Sequence, residues 1–160
     1  MVPLWLIVVA PAVIAVVIAA AGTRLVRSTR WLAVAGPLLV VWAGIERLAG
    51  ATSAGHTAVG PGTAAESWTW LATAAGTIEV GLGADALAAV MLVVVGAVAA
   101  MVVVFSVGYM ADDEAQPRYF ALLSAFVAAM TALVLSTSLV GLFVAWELVG
   151  ACSYLLIGFW

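Results

Sequence analysis

Lysine is absent from this sequence, and cysteine and histidine occur once each, as Cys152 and His56. One cysteine excludes an intramolecular disulfide and any metal site built on several thiolates. The five cations are all arginine (Arg24, Arg27, Arg30, Arg47, Arg118), and eight acids leave a net charge of −3. That balance excludes the basic surface on which nucleic-acid binding depends. Charged residues of either sign make up 8% of the 160, where about 25% is usual. With 67% hydrophobic residues and a mean hydropathy of +1.28, the chain has too few polar side chains to coat a water-soluble globule. A soluble enzyme is thereby excluded, leaving a polytopic membrane protein or a piece of one. His56 lies among Thr52, Ser53, Gly55 and Thr57 and reads as a loop residue rather than a ligand.

What the chain does contain is long apolar runs. Crossing the hydrocarbon core takes about 20 mostly apolar residues, and five stretches qualify: Val2–Ala21, Trp31–Leu48, Ala86–Val107, Tyr119–Leu135 and Leu139–Trp160. Pro11 and Pro37 fall inside the first two, where neighbouring helices re-satisfy the freed backbone. The first stretch reads as a span rather than a cleaved signal, because no cation precedes it and its apolar run exceeds the usual length. Arg24, Arg27 and Arg30 fill the link between spans one and two, which places that link in the cytoplasm and the N-terminus outside. The Gly50–Asp85 connection carries no arginine and is therefore external. The expected fold is an all-α transmembrane bundle of about five spans with a short external hairpin between spans two and three. Its organisation is two spans (1–49), an external loop (50–84) and three further spans (85–160).

Within that loop, Gly50–Gly62 is rich in Gly, Ala, Ser and Thr and is expected to be irregular. Further on, Trp68, Trp70 and Leu71 precede Gly76, and Thr77-Ile78-Glu79-Val80 alternate strictly, the pattern of a hairpin around a glycine. The tryptophans suit the membrane surface. Spans four and five are expected to join in a tight turn at Ser136-Thr137-Ser138.

Glu147 is the informative residue. It lies eight residues into the fifth span, about 12 Å of helix rise, in the middle third of the bilayer. An ionised carboxylate there costs at least about 2.5–3.5 kcal/mol on insertion scales, so such a group faces a bundle interior or a watery path. Helical spacing puts Val144, Gly150, Ala151 and Tyr154 on its face. Gly150 and Ala151 allow close approach of another helix, and Tyr154 and Ser153 offer hydroxyls to a proton path. The competing reading is a permanently protonated structural acid. Elsewhere, Asp85 reads as a helix cap, Arg118 as a surface anchor for span four, and Cys152 as a small apolar residue. Glu46 and Arg47 diverge by about 100° around a helix and are expected to snorkel separately to the interface.

The run Trp146–Trp160 resembles the fifth-span motif of respiratory complex I subunit L, NADH-quinone oxidoreductase chain 5. Ala84-Asp85-Ala86-Leu87 and the passage from Gly108-Tyr109-Met110 to Arg118-Tyr119-Phe120 resemble that family too. Order and spacing match over roughly residues 75–160, and the first 74 match in layout alone. The motif is shared with Mrp-type sodium/proton antiporter subunits; Leu148, where complex I usually has glycine, leans towards them, and the following Val-Gly-Ala-Cys-Ser leans back.

The resemblance implies an antiporter-like membrane-arm subunit that couples quinone reduction to proton movement. Glu147 would be the channel glutamate, paired with a lysine on a seventh span. Family members are several times longer, so the chain is expected to be an amino-terminal fragment without that lysine. No cofactor is expected in this chain; NADH, flavin, iron–sulfur clusters and quinone belong to other subunits of the enzyme. Its expected partners are other membrane subunits, the lipid bilayer and protons, in a bacterial-type plasma membrane. The alternatives are an Mrp-type antiporter subunit and an inert structural fragment.

Overall fold

Hydrocarbon offers no water to a backbone N–H or C=O, so each apolar run closes its own hydrogen bonds as a helix. A computed structural model of the chain describes residues 2–22, 26–53, 66–73 and 76–160. Five helices and a hairpin follow in order: α1 (Leu4–Ala21), α2 (Val26–Ser53), β1 (Glu66–Thr73), β2 (Gly76–Leu82), α3 (Ala86–Tyr109), α4 (Gln116–Leu135) and α5 (Leu139–Ile157). All five helices are long and apolar enough to cross a membrane. The molecule is a polytopic helical bundle whose successive helices run up and down.

The ends differ from the hydropathy reading in instructive ways. α2 starts at Val26 and runs to Ser53, so Gly50–Ser53 is helix and not loop. Hydropathy marks where hydrocarbon begins, whereas helical hydrogen bonding continues through polar residues into the interface. α4 starts three residues earlier than expected, with Pro117 in its first turn, where the missing N–H costs nothing. α5 ends at Ile157 rather than Trp160. Arg24 and His56 lie outside the described residues, as does the rest of the expected loop over 54–65.

α1 and α2 remain continuous through Pro11 and Pro37. The waist of the bundle is built from small residues. Gly96 of α3 faces α2 so closely that a Cβ there would lie 2.8 Å from the Val41 nitrogen and 2.9 Å from the Pro37 carbonyl. Reciprocally, a Cβ on Gly44 of α2 would lie 2.9 Å from the Val93 nitrogen and 3.0 Å from the Ala89 carbonyl of α3. Gly36 rests on Pro11 of α1 in ordinary contact. The bulkier core forms two clusters. Leu4, Ile7, Val40, Leu92, Val127 and Leu135 make one, nearer the hairpin, and Ile18, Val103, Met110, Phe120 and Leu123 make the other. Half of the α4 span is buried, which makes it the central helix. Ala145 is the one buried residue of α5, whose main packing partner is α4, with a small contact to β2.

The hairpin is antiparallel, with Glu66 opposite Leu82 and Trp68 opposite Val80. A bulge between Thr69 and Leu71 leaves Trp70 as the extra residue. Gly76 adopts φ 146°, a conformation open to glycine but not to L side chains. β2 also joins the α4–α5 turn: Gly83 donates to the Leu135 carbonyl at 2.7 Å and Thr137 to the Gly81 carbonyl at 3.0 Å. The expected Ser136–Ser138 turn is thus tight, and it is welded to the hairpin. Gly81 and Gly83 make room for this, because a Cβ on either would fall within 2.6 Å of the Thr137 side chain.

The glycine contact sets a test. Gly96→Ala places a methyl group against backbone that cannot yield, and is expected to cost about 1–3 kcal/mol. Gly150→Ala, where a Cβ meets nothing within 4 Å, is expected to be neutral. Denaturant titration of the chain in mixed micelles measures both, and equal stability of the two variants contradicts the close α2–α3 contact.

Candidate functional site

Helix α5 begins where Ser138, in extended conformation, accepts a hydrogen bond from Gly141 N at 3.1 Å, satisfying one of the donors a helix start leaves open. From that cap the helix carries Glu147 to its middle. Val144, Gly150, Ala151 and Tyr154 are exposed, as Glu147 is. The face they form points away from the other four helices. Gly150 has open space beside it, Tyr154 is 76% exposed and Ser153 is half-buried. Among the described residues no hydrogen bond or ion pair reaches the Glu147 carboxyl.

Besides packing on α4 along one flank, α5 makes contacts at both of its ends. At the hairpin end, a Cβ on Gly141 would lie 3.4 Å from Val80 of β2. At the other, Phe159 packs edge-on against Tyr119, with centroids 5.6 Å apart, and the Arg118 guanidinium sits 5.8 Å over the Phe159 ring. Arg118 therefore anchors α5 to α4 through a cation–π contact, in addition to its expected surface position. Tyr119 is itself fixed by a 3.0 Å hydrogen bond with Ser106 of α3.

Asp85 is the expected cap of α3, its carboxylate accepting from Ala88 N at 2.6 Å. The opposite end of α3 leads into the acidic turn, where Asp113 accepts from Ala115 N at 2.6 Å and the buried Gln116 side chain donates to the Met110 carbonyl. Cys152 is a free, half-buried thiol.

Glu46 and Arg47 require a correction. They do not snorkel apart. Glu46 accepts from Val2 N at 3.0 Å, and Arg47 donates to the Val2 carbonyl at 2.6 Å and to the Ala43 carbonyl at 3.2 Å. Glu66 of β1 joins them, accepting from Leu4 N at 3.3 Å. Diverging by 100° does not separate two long side chains when the backbone of another element runs between them. The result is a clasp that fixes the start of α1 to α2 and to the hairpin, with both carboxylates near enough to act on the Arg47 charge. Glu66 gave no sequence signal, since nothing in a lone acid at a strand start announces a helix N-terminus far away in sequence.

A family model described as NADH-ubiquinone oxidoreductase (complex I), chain 5 N-terminus, matches residues 70–120. That stretch holds the hairpin, the Asp85 cap, α3 and the Arg118 anchor. Residues 70–120 are thus similar to the N-terminal part of that family. Relatives are similar over a longer stretch. The chloroplastic NAD(P)H-quinone oxidoreductase subunit 5 of Anthoceros angustus is 49% identical over 94 residues, 59% of this chain and 13% of its own length. That of Chlorokybus atmophyticus is 52% identical over 91 residues, 57% of this chain and 14% of its own length. NAD(P)H-quinone oxidoreductase chain 5 of Synechocystis sp. is 47% identical over 91 residues, again 57% of this chain and 13% of its own length. The chain therefore spans only a small part of the length of these relatives.

The clasp generates a prediction. Glu66→Ala removes an acceptor from the first turn of α1 and is expected to cost about 1 kcal/mol, with faster amide exchange at Leu4. Arg47→Met removes the donor to the Val2 carbonyl and is expected to loosen the same segment, while leaving Ala88, capped by Asp85, unchanged. Hydrogen exchange read by mass spectrometry checks this, and unaltered exchange at the start of α1 in both variants contradicts the clasp.

Proposed function

We propose that the chain belongs to a proton-translocating membrane-arm subunit of an NADH-quinone oxidoreductase, with residues 85–160 opening its antiporter-like module. The observation that carries this reading is a carboxyl group at mid-span on a helix face that the described helices leave uncovered. Lipid is a poor neighbour for it, since an ionised carboxylate facing hydrocarbon costs several kcal/mol. A protein surface or a hydrated path removes that cost, and either one brings protons within reach. Glu147 then takes up and releases a proton, its affinity set by desolvation on one side and an approaching cation on the other. Tyr154, two turns along the same face, and the nearby Ser153 supply hydroxyls for the next transfer. Redox chemistry, with NADH, flavin, iron–sulfur clusters and quinone, takes place in other subunits. The names of the relatives, all NAD(P)H-quinone oxidoreductase subunits, support this assignment over the antiporter alternative.

The test uses the complete subunit in its assembled complex. Gln preserves the size and hydrogen bonding of Glu but cannot ionise. Glu147→Gln is expected to leave complex content unchanged while strongly lowering proton uptake per electron pair. Glu147→Asp is expected to be milder. Normal pumping by Glu147→Gln at normal complex content refutes the assignment.

We also place the N-terminus and the hairpin outside a bacterial-type plasma membrane, because Arg24, Arg27 and Arg30 cluster on the opposite side. In a Cys152→Ser background, Thr77→Cys is expected to react with an impermeant thiol reagent on intact cells. Asp112→Cys is expected to react only after permeabilisation. The reverse pattern inverts the orientation.

A further inference from the structure

The buried and half-buried positions of α5 recur at Gly141, Ala145, Val149, Cys152 and Leu156, and half-buried Phe159 continues them past the helix end. They share one helical face, the flank turned to α4. This seam is small at its start, where glycine and alanine lie, and grows towards Phe159. Small residues let α5 approach α4 but give little resistance to rotation about the helix axis. A ring seated at the end of the seam resists it. Phe159 moves with α5, because the Gly158 amide donates to the Tyr154 carbonyl at 3.0 Å and the Phe159 amide to the Leu156 carbonyl at 3.3 Å. Its ring meets Tyr119 edge-on beneath the Arg118 guanidinium. Tyr119 is itself held from the other side. Its hydroxyl lies 3.0 Å from Ser106 Oγ of α3. Ser106 is 2% exposed and donates its own proton to the Val102 carbonyl at 2.7 Å, so Tyr119 is the donor between them. α3 is a firm reference, since Gly44 and Gly96 bring it against α2.

We propose that Tyr119 is a positioning residue: with Ser106 and Phe159 it sets the rotation of α5 and so the direction in which Glu147 points. The proposal rests on the proton-carrying role given to Glu147 above. Glu147 is two residues from Ala145, about 200° around the helix, so it stands opposite the seam and swings with any rotation of α5. A helix with its side chains is about 10–12 Å across, and a turn of about 30° moves a side-chain tip by about 3 Å. Proton transfer needs donor and acceptor within about 2.6–3.2 Å, so a swing of that size takes the carboxyl out of reach of its partner. The hydroxyl of Tyr119 thereby acts on the carboxyl through Phe159 and the α5 backbone, without touching it.

Spin labels test the rotation directly. They are placed at Met101→Cys of α3 and Phe143→Cys of α5, both exposed, in the Cys152→Ser chain in lipid nanodiscs. Phe143 lies one turn before Glu147 on the same side. Tyr119→Phe, which loses only the hydroxyl, and Phe159→Leu, which loses the ring, are each expected to displace the label distance by about 3 Å. Phe159→Tyr keeps the ring and is expected to leave the distance as in the parent. Circular dichroism confirms that each variant is folded. In the complete subunit within its assembled complex, Tyr119→Phe and Phe159→Leu are expected to lower proton uptake per electron pair, and Phe159→Tyr to retain it. An unchanged label distance in Tyr119→Phe or Phe159→Leu overturns the proposal. So does a displaced distance with normal uptake in complexes where Glu147→Gln pumps poorly, or equal loss in Phe159→Tyr and Phe159→Leu. Normal pumping by Glu147→Gln beside displaced distances refutes the proton role of Glu147 alone, and leaves Tyr119 as the residue that orients α5.

Discussion

Between helices in a bilayer the hydrophobic effect is almost silent, because lipid tails are as apolar as the side chains they would displace. Association then depends on how closely two backbones can approach. In this chain that requirement is met where Gly44 of α2 lies against α3 and Gly96 of α3 lies against α2. The two contacts are reciprocal, so they fix both the separation and the register of the pair. Gly36 against Pro11 extends the same logic to α1. The bulky side chains form two separate clusters around α4.

The polar connections follow from that arrangement. A narrow bundle brings the start of α1 beside the end of α2, within reach of Glu46 and Arg47. The hairpin is held over the same end by Glu66 and by its pairing with the α4–α5 turn. Each of these contacts satisfies backbone groups that would otherwise be left open near hydrocarbon, where an unsatisfied donor is expensive. At the opposite end, Ser106, Tyr119, Phe159 and Arg118 form a connected path from α3 through α4 to α5.

α5 packs on α4 along one flank, where Ala145 is buried, and its opposite face, which carries Glu147, is exposed. A helix held along one flank and at both ends presents its other face in a defined direction without being enclosed by it. That combination suits a carboxyl group whose working partners approach from the outer side, and it explains why residues of the proposed proton path touch so little within the described bundle.

Much of this was legible along the chain. Hydropathy located five helices because the energetic cost of a charge or an open peptide group in hydrocarbon acts on each residue separately. Alternation around Gly76 located the hairpin, and an acid before an apolar run located the Asp85 cap. The mid-span position of Glu147 required only the rise per residue. By contrast, the overshoot of α2 through Ser53 was hidden, since helical hydrogen bonding does not stop where hydropathy falls. The joining of Glu46, Arg47 and Glu66 on one short backbone segment was hidden as well, as was the choice of Gly44 and Gly96 over the other glycines as contact points. Periodicity assigns each side chain a direction around its own helix axis, but it carries no record of which neighbour lies in that direction. Only tertiary packing supplies the neighbour, and so only the tertiary structure decided that α4 is enclosed while the Glu147 face of α5 stays open.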